Sequence, residues 1–296
     1  MTKLDIMLPY WGEPGYMREA TLSVIEQTSD DWRLTIVDDA YPDTWLAPWV
    51  EELAHPRVRY IRKEVNEGLV ANFRSCVQLA EAPLMSILGS DDRLLPNYVA
   101  SVLSAHDSFK FVSMIQPGVR VIDAEGSPSS GLADTVKQRL LRPSPSRPHV
   151  LAGEALATSL LHGDWLYWPS LVFRTEAIQS VDFNDDYTIA LDLDVILALV
   201  EQGASLLAWP EESFAYRRHA ASESSTALTD GIRFAGERAF FDEVAQRMTE
   251  LGWPTAAKAA RLHVTSRLHA ISLLPRAVRQ RSAGALQTLA RHGLWR

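Results

Sequence analysis

The chain has 296 residues, 47% of them hydrophobic and 22% charged, a balance that excludes both a disordered chain and a fibrous repeat. Its single cysteine, Cys76, excludes a disulfide framework within the chain and any multi-cysteine zinc or iron–sulfur centre. All 37 acidic residues lie before position 251 with 21 of the 29 basic ones, so a body of charge −16 precedes a tail of +8, and nucleic acid is not an expected ligand of so acidic a body.

The first hundred residues alternate between two hydrophobic periods. Leu4, Ile6 and Leu8 predict a strand, and Tyr16–Gln27, with Met17, Leu22, Val24 and Ile25 apolar, predicts a helix. Leu34–Val37 reads as a short buried strand followed by the turn residues Asp38–Asp43, and Val58–Ile61 as a third strand. Asn66 stands where a helix cap would, ahead of Leu69, Val70, Phe73, Val77 and Ala80 at helical spacing. Leu84–Leu88 predicts a fourth strand ending in Gly89-Ser90-Asp91-Asp92, and Pro96–Leu103 a helix with proline in its first turn. This repetition predicts an α/β fold, a mostly parallel central sheet with helices on both faces.

From Phe109 the pattern changes. Phe111–Ile115 and Val119–Ile122 predict strands joined by Gln116-Pro117-Gly118, and residues 123–149, rich in Pro, Ser and Gly, read as a mobile surface excursion. Trp168–Phe173 predicts a strand, Asp192–Gln202 a helix, Leu206–Trp209 a strand, and the remainder from Thr229 is helical. Apolar runs such as Val195–Val200 fall short of the ~20 residues a membrane span needs. Met1–Trp11 lacks the basic stretch and apolar core of a secretory signal, so a cytoplasmic location is expected.

Ligands of open parallel sheets bind beyond the carboxyl ends of the strands. Two acidic pairs fall there, Asp38-Asp39 after the second strand and Asp91-Asp92 after the fourth. No G-x-G-x-x-G follows the first strand and no Walker-type lysine loop occurs, so a glycine cradle for phosphates is absent. A divalent cation on carboxylate oxygens is the physical substitute, because Mg²⁺ or Mn²⁺ takes one or two carboxylates plus phosphate oxygens.

The segments Leu8-Pro9-Tyr10-Trp11, Gln27-Thr28 to Trp32, Val37-Asp38-Asp39, Asn66-Glu67-Gly68 and Gly89-Ser90-Asp91-Asp92 follow one another in an order and spacing that resemble family 2 glycosyltransferases of the Rossmann-like GT-A fold. Pro169–Arg174, Leu191-Asp192-Leu193-Asp194 and Tyr216-Arg217-Arg218-His219 extend the resemblance over roughly residues 3–225. It implies a catalytic domain over 1–228, with a nucleotide-binding half at 1–104 and an acceptor-binding half at 105–228, and a helical, basic extension over 229–296. The implied activity is inverting, metal-dependent transfer of a hexose-type sugar from a nucleoside diphosphate sugar, as in cell-surface polysaccharide biosynthesis. Acceptors of that kind are saccharides, lipid-linked saccharides or small natural products.

Roles follow from the resemblance residue by residue. Asp39 would accept the imide N–H of uracil or thymine, favouring UDP or dTDP over GDP. Pro9, Tyr10, Trp11, Asp38, Asn66, Arg74 and Asp91 would line the nucleotide-sugar pocket, although Asp38 equally suits a turn and Asn66 a helix cap. Asp92 and His219 would hold Mn²⁺ or Mg²⁺; Ser90 stands where the family motif usually has its first acid. Asp192 would be the general base, taking the proton of the acceptor hydroxyl. Leu191 stands where the family usually has a further acid. Asp194, ~200° further round the helix, would cap it or pair locally, and Arg217 or Arg218 could pair with the diphosphate.

The run from His162 to Trp168 offers Trp165 as an acceptor platform and Asp164 as a hydroxyl ligand, against the alternative of an aromatic strand packing the core. The excursion before it would act as a lid. The basic tail, with Leu262, Val264, Leu268, Ile271, Leu273, Leu274 and Val278 between its arginines, fits a peripheral membrane contact, a dimer contact or packing against the acidic body. Two rival readings remain open, a sugar nucleotidyltransferase and a catalytically silent nucleotide-sugar-binding module. The first would carry a glycine- and arginine-rich loop after the first strand, whereas Tyr10–Met17 has no basic residue.

Overall fold

The computed structural model describes residues 2–129, 131–143, 146–185, 187, 190–219, 232–279 and 283–294. Its frame is set by β1 (Leu4–Tyr10), buried along its whole length, with β2 (Trp32–Asp38) on one side and β4 (Leu84–Ile87) on the other, both parallel to it; β3 (Val58–Arg62) lies beyond β2. The helices between them are α1 (Pro14–Ile25), α2 (Leu46–Leu53) and α3 (Leu69–Leu79). Proline in the first turn and the Glu13 carboxylate, accepting from the Tyr16 N–H at 2.8 Å, start α1 two residues before its apolar periodicity does. α2 has no counterpart in the sequence reading, although Leu46, Trp49, Val50 and Leu53 form an apolar stripe along it; at eight residues it offers only two turns of that period. Asn66 is not the cap of α3, whose N-cap is Gly68; the Asn66 side-chain Oδ1 accepts the Gly68 N–H at 2.9 Å and closes the turn before the helix.

The expected mostly parallel sheet is present, and its second half adds short antiparallel pairings to a long parallel one. Among the described residues the sheet has nine strands in the order β3-β2-β1-β4-β8-β6-β9-β5, with β7 also paired to β9. β5 is Arg93–Leu94, β6 Met114–Ile122, β7 His149–Ala152, β8 Val172–Arg174 and β9 Ser205–Arg217. β8 runs antiparallel to β4 and β6, while β5 and β7 run antiparallel to β9. Strand–helix alternation, the signal for parallel pairing, holds only through the first hundred residues. The two strands expected around Gln116-Pro117-Gly118 are one, β6, whose register against β9 shifts at that point. A Cβ at Gly118 would meet the backbone of Glu211 and Glu212 at 2.7 Å, so only glycine allows this approach.

Helices α4 (Tyr98–Ser108), α5 (Leu132–Val136, continued by a π-helical turn Lys137–Leu141), α6 (Gly153–His162), α7 (Thr175–Ile178) and α8 (Leu191–Glu201) complete the body. The chain then forms α9 (Ile232–Glu250), α10 (Pro254–Leu262), α11 (Val264–Arg279) and α12 (Ala283–Leu294). One face of the sheet packs Ile6, Leu8 and Leu34 against Met17 and Val24 of α1 and Val102 of α4. The opposite face packs Met7, Met85 and Phe173 with Leu160 of α6 and Ile196 of α8, and this cluster runs on into Phe240, Val244 and Met248 of α9 and Ala256, Ala257 and Ala260 of α10. The start of the basic extension is thus part of the main core. Among the described residues no helix is long and apolar enough to cross a membrane.

Candidate active site

The register Tyr10↔Asp38 and Met7↔Ile87 brings the carboxyl ends of β1, β2 and β4 to one edge of the sheet. Asp38 is fully buried there and fully engaged. One oxygen accepts the Tyr41 N–H at 2.8 Å, and the other accepts the Tyr60 hydroxyl at 2.6 Å and the Arg62 guanidinium at 2.7 Å. Asp39, 2% exposed, accepts the N–H groups of Glu67 at 3.1 Å and Gly68 at 2.8 Å, one on each oxygen, with the Lys63 ammonium at 3.3 Å. Oδ2, which faces only the Gly68 N–H, retains lone-pair capacity for a further donor. Pro9 is buried within β1 beside Val37, and Tyr10 is buried, its hydroxyl between Gly12 O and the indole N–H of Trp45. Trp11 is the exposed aromatic at this edge, at 49%, edge-on to Tyr41. Arg74 faces elsewhere: it binds Asp182 at 2.7 Å and Asp185 at 3.0 Å and fixes the loop after α7.

The acidic motif after β4 is folded back onto β9. Asp92 leads directly into β5, whose Arg93 pairs with Ala215, and this sets the Asp92 carboxylate against the end of β9, where it accepts the Arg217 N–H at 2.8 Å. The other Asp92 oxygen, Oδ2, is buried without a partner. Burial, and after it the neighbouring Asp91 charge, raise the Asp92 carboxyl well above the ordinary aspartate range. Gly89 leaves room for this loop, since a Cβ there would lie 2.6 Å from Asp92 Oδ2. Asp91 Oδ2 meets His219 Nε2 at 2.8 Å. Arg217 is a brace and does not face a ligand: its buried guanidinium donates to Asp91 O and Ala124 O, both at 2.7 Å, and to Glu19, and lies 4.4 Å over the Tyr16 ring. Arg218 pairs with Asp134 of α5 at 2.8 Å.

An orphaned, buried carboxylate oxygen beside a second carboxylate and an imidazole is a donor set that suits Mn²⁺ or Mg²⁺. Among the described residues no three His, Cys, Asp or Glu side chains form a ready-made metal cluster. A cation here would need oxygens from its ligand to complete its shell.

Asp192 lies in the first turn of α8, one oxygen accepting the Leu193 N–H at 2.8 Å. Burial, then the Asp164 carboxylate, push its pKa up to about 6, against the opposing pulls of the Leu193 N–H and the Lys137 ammonium. Asp164 is itself held by the Leu166 N–H at 3.0 Å, and Lys137 donates to Leu166 O at 2.9 Å. Sequence reasoning missed Lys137, which lies in a stretch without periodicity; its position in the π-helical turn is visible only in the fold. Asp194 points away from this cluster and binds Arg247 of α9 at 2.6 Å, while Arg247 also holds Glu201.

Trp165 is not an acceptor platform. It is 1% exposed, part of the main core, with its indole N–H on Ser159 of α6 at 3.1 Å, so neither ring face is open to a sugar. The segment expected to be a free excursion is tied down where it is described. Asp134 accepts the Tyr167 hydroxyl at 3.0 Å, Gln138 donates to Val119 O at 3.1 Å, and Arg142 donates to Trp209 O. Residues 130, 144 and 145 of that segment lie outside the described residues. Through Arg218–Asp134 and Lys137–Leu166 it joins the Asp91–His219 side to the Asp164–Asp192 side.

Residues 5–147 match the family described as Glycosyl transferase family 2. The putative colanic acid biosynthesis glycosyl transferase WcaA of Escherichia coli (strain K12) is 31% identical over 105 residues, which are 35% of this chain and 37% of that protein; the match thus spans little more than a third of that relative. Among solved structures, S. aureus TarS 1–349 in complex with UDP-GlcNAc superposes with a TM-score of 0.63 at 13% identity, covering 99% of this chain and 90% of that one. The mannosyltransferase PcManGT from Pyrobaculum calidifontis, in complex with GDP-Man and Mn²⁺, superposes with a TM-score of 0.62 at 15% identity, covering 97% and 78%.

Proposed function

Starting from a chain that carries a glycosyl transferase family 2 domain in residues 5–147 on a GT-A fold, we propose an inverting glycosyltransferase that uses a UDP- or dTDP-sugar. The observation that carries this reading is the buried, partnerless Oδ2 of Asp92 at the sheet edge where Asp39 also stands. Asp92, with Asp91 and His219 beside it, would hold Mn²⁺ or Mg²⁺. When bound, that cation supplies Lewis-acid stabilisation of the charge that develops on the nucleoside diphosphate.

The chain's own residues do the rest. Asp39 accepts the imide N–H of the pyrimidine, Trp11 and Tyr10 shape the base pocket, and Arg217 and Asp38 keep the two acidic loops in place. Asp164 binds a hydroxyl of the acceptor. Asp192 takes the proton of the attacking hydroxyl, and a pKa of about 6 leaves it ionised yet basic at neutral pH. The acceptor class is a saccharide, free or lipid-linked, or a small natural product. The name of the E. coli relative favours an extracellular polysaccharide over the others. A cytoplasmic location follows from that donor, since nucleotide sugars are made there.

A thermal-shift panel of UDP, dTDP and GDP with Mn²⁺ tests the reading. Ligand at ~100 times its Kd adds about 2.7 kcal/mol. A shift with UDP or dTDP that exceeds the shift with GDP supports it, and no shift with any of the three rejects it.

A further inference from the structure

Beyond the transfer site, α9, α10 and α11 enclose a cavity of about 410 Å³ whose lining includes Arg238, Lys258, Arg261, Arg267 and His263, with Asp242 as the one carboxylate. Among the described residues the arginines donate to neutral oxygens: Arg261 to Thr249 Oγ1 at 2.9 Å, Arg267 to Gly293 O at 3.2 Å and Arg238 to Arg291 O at 3.4 Å. Lys258 is exposed. No acidic residue follows Glu250 in the sequence, so nothing from the tail itself can neutralise this group. Four cations around one concavity repel one another, and an anion seated among them offsets that repulsion.

Beside the charged lining the chain carries exposed apolar residues, and Leu262 of the lining itself is apolar. Val264 follows the lining residue His263 and Leu268 the lining residue Arg267, one turn apart on α11, and they are 42% and 59% exposed. A free phosphate would use the cations and leave these side chains in water. A phosphate that carries acyl chains uses both.

We propose that the basic cavity between α9, α10 and α11 binds the phosphate head group of an anionic lipid, with Val264 and Leu268 against its apolar part. This holds the chain on a membrane surface and is independent of the sugar-transfer reading.

Co-sedimentation of the full chain with vesicles of phosphatidylcholine, alone or mixed with phosphatidylglycerol, tests it. The wild-type chain partitions at least about tenfold more onto the anionic vesicles, and Lys258→Glu and Leu268→Asp each remove most of that gain. Arg59→Glu, the same charge change at an exposed position on β3, leaves it in place. All three positions are exposed, so the variants keep the fold, which a far-UV spectrum and a thermal melt check. Equal partitioning onto both vesicle types overturns the proposal, as does an equal loss in Arg59→Glu and Lys258→Glu. Lys258-dependent binding of inorganic pyrophosphate without vesicle binding also overturns it, by assigning the cavity to a free phosphate.

Discussion

Replacing Asp192 by asparagine removes a proton acceptor while keeping the shape of the side chain and its contact with Leu193. General-base catalysis contributes ~10²–10⁴-fold, so kcat falls by that factor, about 2.7–5.4 kcal/mol of barrier, with Kd for the donor unchanged. The proposed role of Asp192 also predicts a pH dependence for the unaltered protein. As the proposed base Asp192 acts ionised, and with burial and Asp164 pushing its pKa up to about 6 the expected outcome is a kcat/KM that rises as pH climbs through that value and levels off above it. The two neighbours then move the midpoint in opposite directions. Asp164→Asn deletes the like charge that raises the Asp192 pKa and shifts the rise to lower pH. Lys137→Met deletes the cation that lowers it and shifts the rise to higher pH. The assay is the pH profile of kcat/KM for donor turnover, with water as acceptor if no better one is known, in all four proteins. Full turnover by Asp192→Asn, or midpoints of the two neighbour variants that move in the same direction, refutes the assignment.

Two further outcomes concern the scaffold. Trp165→Phe loses part of a packed indole and its bond to Ser159, costing about 1–3 kcal/mol in urea unfolding, while KM for the acceptor stays unchanged; a raised KM would return Trp165 to the acceptor site. Asp194→Ala leaves Arg247 with only Glu201 and loosens α9 from α8. The expected loss is about 2–4 kcal/mol, below that of a fully buried pair because Arg247 keeps 24% of its side chain in solvent. No change in denaturation midpoint would mean that α9 is held by its apolar face alone.

The first half of the fold was legible in the chain because it is built from repeated, predominantly apolar strands and amphipathic helices, signals that are local in sequence. The second half was less so. β9 spans thirteen residues through Pro210, yet only its Leu206–Trp209 portion carries a strand pattern, and its remainder is recruited by pairing with β5 and β6. α6 did leave a signal, with Leu156, Ala157, Leu160 and Leu161 on one face, obscured by the Pro- and Ser-rich stretch before it. Among site residues, Asp92 and Asp192 could be named from motif position, but what surrounds them could not. Arg217 as a brace, Lys137 beside Asp192 and the engagement of Asp38 with Tyr60 and Arg62 are products of chain segments that meet only on folding. Trp165 shows the reverse failure: a polar-flanked aromatic run reads the same whether its rings face a sugar or the core.

Calorimetric titration of UDP into the protein, with and without Mn²⁺, for the wild-type chain and for Asp92→Asn, tests the central claim most directly. The account predicts that Mn²⁺ tightens UDP binding by at least about tenfold, ~1.4 kcal/mol, and that Asp92→Asn abolishes this gain while leaving the metal-free affinity in place. A UDP affinity that ignores both Mn²⁺ and the Asp92→Asn substitution would contradict it.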